Sequence, residues 1–125
     1  MSEIVSSAVP NVYNYNFIAH PQLDYDNKLK SKQSIKAGGS LSLTVNISGI
    51  PSPKVAWLLD GETIEKSPRL TIETTEEFST LTIKNATIED AGNYKISAEN
   101  VVGKAEADFD IIVKGKKTYL IITRH

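Results

Sequence analysis

Asp90-Ala91-Gly92-Asn93-Tyr94-Lys95-Ile96 is the stretch of this 125-residue chain that decides its fold. The glycine lets the backbone turn sharply where a side chain would clash. The aspartate can accept hydrogen bonds from backbone donors in the same turn. Tyr94 and Ile96 then begin an alternating strand that points both side chains into a core. A buried tyrosine hydroxyl needs a partner, and in two-sheet sandwiches a backbone group a few residues upstream supplies it, which is called the tyrosine corner.

Composition limits the class of protein. Apolar residues make up 40% of the chain, the formal net charge is −1, and there is no cysteine. The charge gives no basic footprint for nucleic acid or a membrane surface. The lack of cysteine excludes a disulfide framework and favours a reducing, cytoplasmic compartment. No 18-residue apolar run is present, and residues 1–10 lack the basic start and apolar core of a secretory signal.

Short alternating segments separated by turns recur along the chain, which predicts an all-β sandwich of seven to nine strands. The Asp60-Gly61 pair is a strong hairpin signal, with a short edge strand expected around 63–65. A sustained 3.6-residue apolar period appears nowhere. The inward-facing residues are predicted to be Leu41, Leu43, Val45, Ile47, Val55, Trp57, Leu70, Ile72, Leu81, Ile83, Tyr94, Ile96, Ala98, Ala105, Ala107, Phe109, Ile111 and Val113.

The pattern divides the chain into an N-terminal extension or linker (1–20), a domain (21–114) and a β-prone C-terminal tail or linker (115–125). Residues 21–36 are expected to form the first strand, either continuous or broken in two, on an edge protected by lysines. Both ends carry apolar residues in extended patterns, so strand pairing or other protein contacts are expected there. These residues are Tyr13, Tyr15 and Phe17 in the extension and Tyr119, Leu120, Ile121 and Ile122 in the tail.

Catalytic, cofactor-binding and metal-binding residues are not predicted anywhere in the chain. The only histidines, His20 and His125, lie outside the predicted sandwich, so no core-held triad can form. The acidic pairs Glu76-Glu77 and Glu89-Asp90 are interpreted as solvated turn charges, because a metal site needs clustered ligands. Leu58, which points away from the core with Ala56, is a candidate protein contact.

The residues resemble those of an intermediate-set (I-set) immunoglobulin domain, a two-sheet antiparallel Greek-key sandwich. The resemblance covers about 21–114. It rests on Ser48-Gly49-Ile50-Pro51-Ser52-Pro53-Lys54-Val55-Ala56-Trp57, Asp60-Gly61, Leu81-Thr82-Ile83, Asp90-Ala91-Gly92-Asn93-Tyr94 and Ala98-Glu99-Asn100-Val101-Val102-Gly103. The phrase around Asn100 is similar to domains of titin, twitchin, projectin and obscurin, giant intracellular muscle proteins.

The resemblance also implies where a disulfide is missing. Val45 and Ile96 stand where the family can carry its cysteine pair. Losing a disulfide typically costs about 2–4 kcal/mol. Burying two aliphatic side chains against Trp57 recovers part of that, at about 1.5–3 kcal/mol each. The structural core is therefore expected around Val45, Trp57, Leu81, Asp90, Gly92, Tyr94 and Ile96.

Three functions fit such a module. The favoured one is a non-catalytic structural and protein-binding domain of a sarcomeric or cytoskeletal protein. Its partners would be neighbouring immunoglobulin or fibronectin-type modules, other sarcomeric proteins or a second copy. An adhesion or receptor ectodomain is the second, for which the triplets Asn46-Ile47-Ser48 and Asn85-Ala86-Thr87 could carry glycan. A regulatory module flanking a muscle-type kinase is the third.

Overall fold

The computed structural model of the protein describes residues 18–115. Within these residues, two short 3₁₀ turns, Asn27–Lys30 and Ile88–Asp90, interrupt a fold that is otherwise built of strands and loops. The strands of the described part are β1 (Ala19–Asp24), β2 (Gln33–Lys36), β3 (Leu41–Ile50), β4 (Lys54–Leu59), β5 (Glu62–Thr63), β6 (Leu70–Thr74), β7 (Phe78–Ile83), β8 (Gly92–Asn100) and β9 (Gly103–Lys114).

The strands form two sheets, which confirms the predicted sandwich. One sheet has the order β1-β3-β7-β6 and the other the order β2-β9-β8-β4-β5. The pairs described are antiparallel apart from one, because β2 runs parallel to β9, with Gln33 opposite Ile111. This parallel pair arises because the 21–36 segment is divided by a 3₁₀ turn, so that β1 joins one sheet and β2 the other. β1 begins at Ala19, two residues before the predicted start of the domain.

The core lies between the sheets and follows the predicted alternation. On β3, Leu43, Val45 and Ile47 are buried while the residues between them are exposed. β9 repeats this pattern with Ala107, Phe109 and Ile111. Val45 and Ile96 are both fully buried, so two aliphatic side chains fill the positions at which the family resemblance implied a missing disulfide.

Trp57 joins the two sheets. Its side chain is 2% exposed, and its ring centroid lies 6.2 Å from that of Phe109. The indole Nε1 donates a hydrogen bond of 2.8 Å to the hydroxyl of Ser79 on the opposite sheet. Ser79 is the register partner of Val45, so the tip of the indole reaches the centre of that sheet. The core therefore contains a buried polar link between the sheets as well as apolar contacts.

The hairpin between β4 and β5 has the predicted turn. Asp60 and Gly61 adopt φ values of 50° and 89°, the two positive values that a type I′ turn requires. β5 itself covers Glu62–Thr63, shorter than the expected 63–65. The backbone of Ile64 still donates a hydrogen bond of 3.0 Å to the carbonyl of Trp57, and its side chain packs against the core.

The two ends of the domain lie at opposite poles. The imidazole of His20, next to the first residue of β1, lies over Gly103 at the start of β9. β9 ends at Lys114, and the chain leaves the sandwich there. We call the end of the domain at His20 and Gly103 the entry pole and the end at Lys114 the exit pole. β9 has 12 residues, and at about 3.3 Å per residue the two poles are separated by about 35 Å.

Candidate protein-interaction site

The turn before β8 forms the predicted tyrosine corner. The Tyr94 hydroxyl donates a hydrogen bond of 2.5 Å to the backbone carbonyl of Asp90, and the tyrosine is fully buried. Burial, aided by the negative charges of Asp90 and Asp60, raises the pKa of Tyr94 to about 12. The hydroxyl therefore remains a protonated donor throughout the physiological range and fixes the turn that leads into the centre of the five-stranded sheet.

The prediction that Asp90 is solvated is wrong. Asp90 was interpreted, together with Glu89, as a solvated turn charge, but it is only 3% exposed. Its carboxylate accepts hydrogen bonds of 2.7 and 3.3 Å from the guanidinium of Arg69 and one of 2.8 Å from the backbone of Thr87. Burial alone would raise the pKa of Asp90, but these hydrogen bonds outweigh it and hold the pKa below its ordinary value.

Loops at the entry pole are tied together by Asn100. Its side-chain amide donates to the backbone carbonyls of Ala19, at 2.9 Å, and Pro51, at 3.0 Å. Its side-chain oxygen accepts a hydrogen bond of 3.0 Å from the backbone of Val102. One residue thus fixes the start of β1, the β3–β4 loop and the β8–β9 turn relative to one another.

An apolar patch surrounds this junction, and we call Ile18, Ile50 and Val101 the entry-pole patch. These side chains are 43%, 43% and 81% exposed. Ile50 is the register partner of Ala19, and Val101 directly follows Asn100. Ile50 and Val101 belong to the segments that carry the family resemblance, but neither was predicted as a contact residue. The available signal was that both are large apolar residues in segments that turns usually fill with polar ones.

The outer face of the five-stranded sheet holds the predicted contact residue Leu58. It is half-buried and lies opposite Thr63 on one side and Lys95 on the other. Lys95 in turn lies 3.7 Å from Glu106 on β9. Leu58 is therefore flanked by polar side chains and does not extend into a larger apolar surface on this face.

The other predicted contact residues lie outside the described part of the chain. They are Tyr13, Tyr15 and Phe17 before Ile18, and Tyr119, Leu120, Ile121 and Ile122 after Gly115. Within 18–115, the structure shows no group of three or more histidine, cysteine or acidic side chains that could hold a metal ion. It also shows no helix of that region with the length and apolarity needed to cross a membrane.

A groove opens between the edges of the two sheets where β5 approaches β6, and we call it the β5–β6 groove. Its volume is about 410 Å³. Its lining is mixed, with the apolar residues grouped on β4, on β6 and after β5. The lining residues are Val55, Ala56, Trp57, Thr63, Ile64, Lys66, Ile72 and Thr74.

Comparison with known proteins decides the family. The sequence profile of the Immunoglobulin I-set domain matches residues 24–113. The chain belongs to the immunoglobulin I-set family. Among curated relatives, this I-set domain is 35% identical over 82 residues to the muscle M-line assembly protein unc-89 of Caenorhabditis elegans. It is also 28% identical over 109 residues to Hemicentin-1 of Mus musculus.

A solved structure gives the same result for the fold. The titin domains z1z2 in complex with telethonin superpose on this I-set domain with a TM-score of 0.71 and 29% identity, covering 79% of this chain and 49% of that one. The alignments with the curated relatives cover 66% and 87% of this chain, but only 1% of unc-89 and 2% of Hemicentin-1. The chain is thus homologous to single domains of much larger proteins, muscle multidomain proteins among them.

Proposed function

We propose that this I-set domain is a non-catalytic structural and protein-binding module of a sarcomeric or cytoskeletal multidomain protein. The observation that carries the proposal is the position of its two ends at opposite poles, about 35 Å apart along β9. Modules with such ends can be joined in series, so that a pulling force acts between the two poles of each module.

The strand pairing supports a mechanical role. β2 and β9 run parallel, with Gln33–Lys36 opposite residues 111–114 at the exit pole. β1 pairs with β3 at the entry pole. A force applied between the poles acts along these strands, so the hydrogen bonds of each pair are loaded together in shear. Breaking several bonds at once requires more force than opening them one at a time, and the domain should resist extension as a unit.

The partners we propose are neighbouring immunoglobulin or fibronectin-type modules and other sarcomeric proteins, in the cytoplasm. The entry-pole patch is where a preceding module would arrive, because Ile18 directly precedes β1, the first strand of the domain. The similarity to titin domains that were solved in complex with telethonin supports a binding role of this kind. Self-association through the chain ends is a further proposal in the same class.

A single-molecule force experiment with two attachment geometries tests this proposal. Pulling on the full chain through residues 19 and 115 should give one cooperative unfolding event at high force. The matched control is pulling through residues 19 and 101, both at the entry pole, which should unzip strands at a clearly lower force. Equal forces in the two geometries would contradict a role as a module loaded from pole to pole.

An extracellular recognition domain is the second candidate, and two observations favour it. The similarity to Hemicentin-1 covers 87% of this chain. Asn46 of the Asn46-Ile47-Ser48 triplet is exposed on β3, so a glycan there would meet no steric barrier. Mass spectrometry of the native protein separates the two candidates. Glycan at Asn46 or Asn85 would favour the extracellular function, and unmodified asparagine at both sites supports the muscle module.

A further inference from the structure

Four of the described strands lie at sheet edges, and they differ in how well they are protected against pairing. β1 contains Pro21, which has no backbone donor, and its register with β3 is interrupted. β2 ends at Lys36, and Lys32 precedes it. β5 is only two residues long. β6, in contrast, has five residues and a single charge, Glu73. Since natural edges are guarded by proline, charge or short length, β6 is the least protected edge of the described sandwich.

The hydrogen bonds at the two ends of β6 establish which backbone groups face its open side. Lys84 donates to the carbonyl of Arg69, and Thr75 donates to that of Phe78, each at 2.8 Å. These bonds fix the odd-numbered residues as those bonded to β7. In an antiparallel ladder the alternate residues point their backbone groups the other way.

Leu70, Ile72 and Thr74 therefore direct their backbone groups to the open edge. At Leu70 both groups are used locally, since its carbonyl accepts from the backbone of Ser67 and its N–H donates to the Ser67 hydroxyl. Among residues 18–115, the N–H and C=O groups of Ile72 and Thr74 have no partner outside the sheet, so they are available to an added strand. Both residues also line the β5–β6 groove.

The groove beside this edge is suited to an extended apolar segment. Val55, Ile64 and Ile72 contribute aliphatic side chains to its lining, and Trp57 also lines it. The Thr74 hydroxyl lies 2.8 Å from that of Ser79, which in turn holds Trp57. A strand paired with Ile72 and Thr74 would place alternate side chains in the groove and gain main-chain hydrogen bonds, as in β-strand addition.

We propose that the β6 edge and the β5–β6 groove receive residues 118–123 of a second copy of this chain. That segment, Thr-Tyr-Leu-Ile-Ile-Thr, has no charge and no proline, and apolar side chains fall on both of its faces. Every residue in it can donate a backbone hydrogen bond. The inference specifies the receiving edge for the self-association proposed above, and it does not depend on which modules flank the domain.

Chain length argues for a second copy over insertion into the same domain. The tail leaves from β9, and β5 lies three strands away in the same sheet, a distance of about 14 Å at the usual strand spacing. The connector, residues 115–117, spans at most about 10 Å when extended. Residues 118–123 therefore cannot all lie along their own β6, whereas the tail of a second copy can approach the edge directly. Exchange between two copies would give a symmetric dimer.

Amide exchange on the full chain, at low and at high protein concentration, tests the receiving edge residue by residue. The amides of Ile72 and Thr74 should exchange fast when dilute and slow by about tenfold or more at high concentration, in step with dimer formation measured by sedimentation. Those of Thr71 and Glu73 should be protected at both concentrations, because they already bond to β7, and they serve as internal controls.

Tail variants identify the incoming strand. Leu120→Asp combined with Ile121→Asp places a charge on each face of the segment and should weaken the dimer by about tenfold or more. Tyr13→Asp combined with Tyr15→Asp adds the same charge to the other end and should leave dimerisation unchanged. Neither pair replaces a residue of the described core, so both variants should fold.

Every other result overturns a defined part of the proposal. Concentration-dependent protection on β1 or β2 instead of β6 would refute the receiving edge. Protection of Ile72 and Thr74 that is independent of concentration would refute the second copy. A chain that remains monomeric with unprotected β6 amides at all concentrations would refute the dimer altogether. None of these outcomes changes the force difference between the two pulling geometries, so failure here is distinguishable from failure of the proposed mechanical function.

Discussion

Tyr94→Phe removes one oxygen atom from the tyrosine corner and leaves the packing of the ring intact. The lost group is the donor of a 2.5 Å hydrogen bond to the Asp90 carbonyl, and no water can replace it because Tyr94 is fully buried. No cavity larger than a hydroxyl is created, so the loss of stability comes from the Asp90 carbonyl that is left without a donor. We expect the free energy of unfolding to fall by about 1–3 kcal/mol. For a domain of this size each kcal/mol lowers Tm by about 4–8 °C.

Urea or guanidinium melts measure this cost directly. The midpoint should fall while the slope m stays unchanged, because the surface exposed on unfolding is the same. The matched control is Tyr25→Phe. Tyr25 is half-buried, with its ring centroid 5.0 Å from that of Phe109, and its hydroxyl enters no hydrogen bond found within residues 18–115. The control should change stability by less than about 0.5 kcal/mol.

The pH dependence provides a second readout for the same variant. The pKa of Tyr94 is about 12 in the folded domain, and about 10 for an unfolded tyrosine. A raised folded pKa means that this contribution is fully present below about pH 10 and is lost as pH rises toward 12. The stability gap between wild type and Tyr94→Phe should therefore narrow over that interval. A loss below about 0.5 kcal/mol at neutral pH, or a gap that does not change up to pH 12, would refute the reasoning.

Three further variants probe the core and its buried charge. Trp57→Ala should cost about 3–5 kcal/mol in denaturant melts, and a loss below about 1 kcal/mol would remove Trp57 from the core. Ser79→Ala leaves the buried indole Nε1 without its 2.8 Å acceptor and should cost about 1–3 kcal/mol, whereas Ser42→Ala on the exposed face of β3 should be near neutral. Arg69→Met leaves the Asp90 carboxylate buried without its ion pair, and we expect about 2 kcal/mol of destabilisation at pH 7, because more than a third of the Arg69 side chain is exposed. Since the pKa of Asp90 is lowered in the folded domain, its contribution is present above about pH 4 and is lost as pH falls through the folded value. The free energy of unfolding should therefore decrease less with falling pH in Arg69→Met than in the wild type. An equal decrease in the two proteins would contradict the role of the ion pair.

The sandwich could be predicted because its information is local. Alternation along β3 and β9 specifies which face of each strand is buried, and one residue of slippage would move every apolar side chain to the solvent. The Asp60-Gly61 turn and the tyrosine corner likewise depend on residues that are close together in the sequence. These features fixed the architecture and the burial of Trp57, Tyr94, Val45 and Ile96, all confirmed by the structure.

What could not be predicted depends on residues that are distant in the chain. Arg69 and Asp90 are 21 residues apart, and nothing in the local sequence around Asp90 distinguishes a paired carboxylate from a solvated one. Ser79 lies on the buried face of β7 with Leu81 and Ile83, and the alternation extended by one step would have placed it there. Its role became visible only with the indole of Trp57 beside it. The parallel pairing of β2 with β9 depends on where the chain changes sheets, which periodicity does not specify.

The central claim is that the chain enters and leaves this domain at opposite poles, and one distance tests it most directly. The distance between spin labels placed at residues 19 and 114 of the full chain can be measured by pulsed electron–electron double resonance. The structure predicts a narrow distribution centred near about 35 Å, the length of β9. A main population below about 20 Å would place both ends at the same pole and contradict a module that is joined and loaded in series.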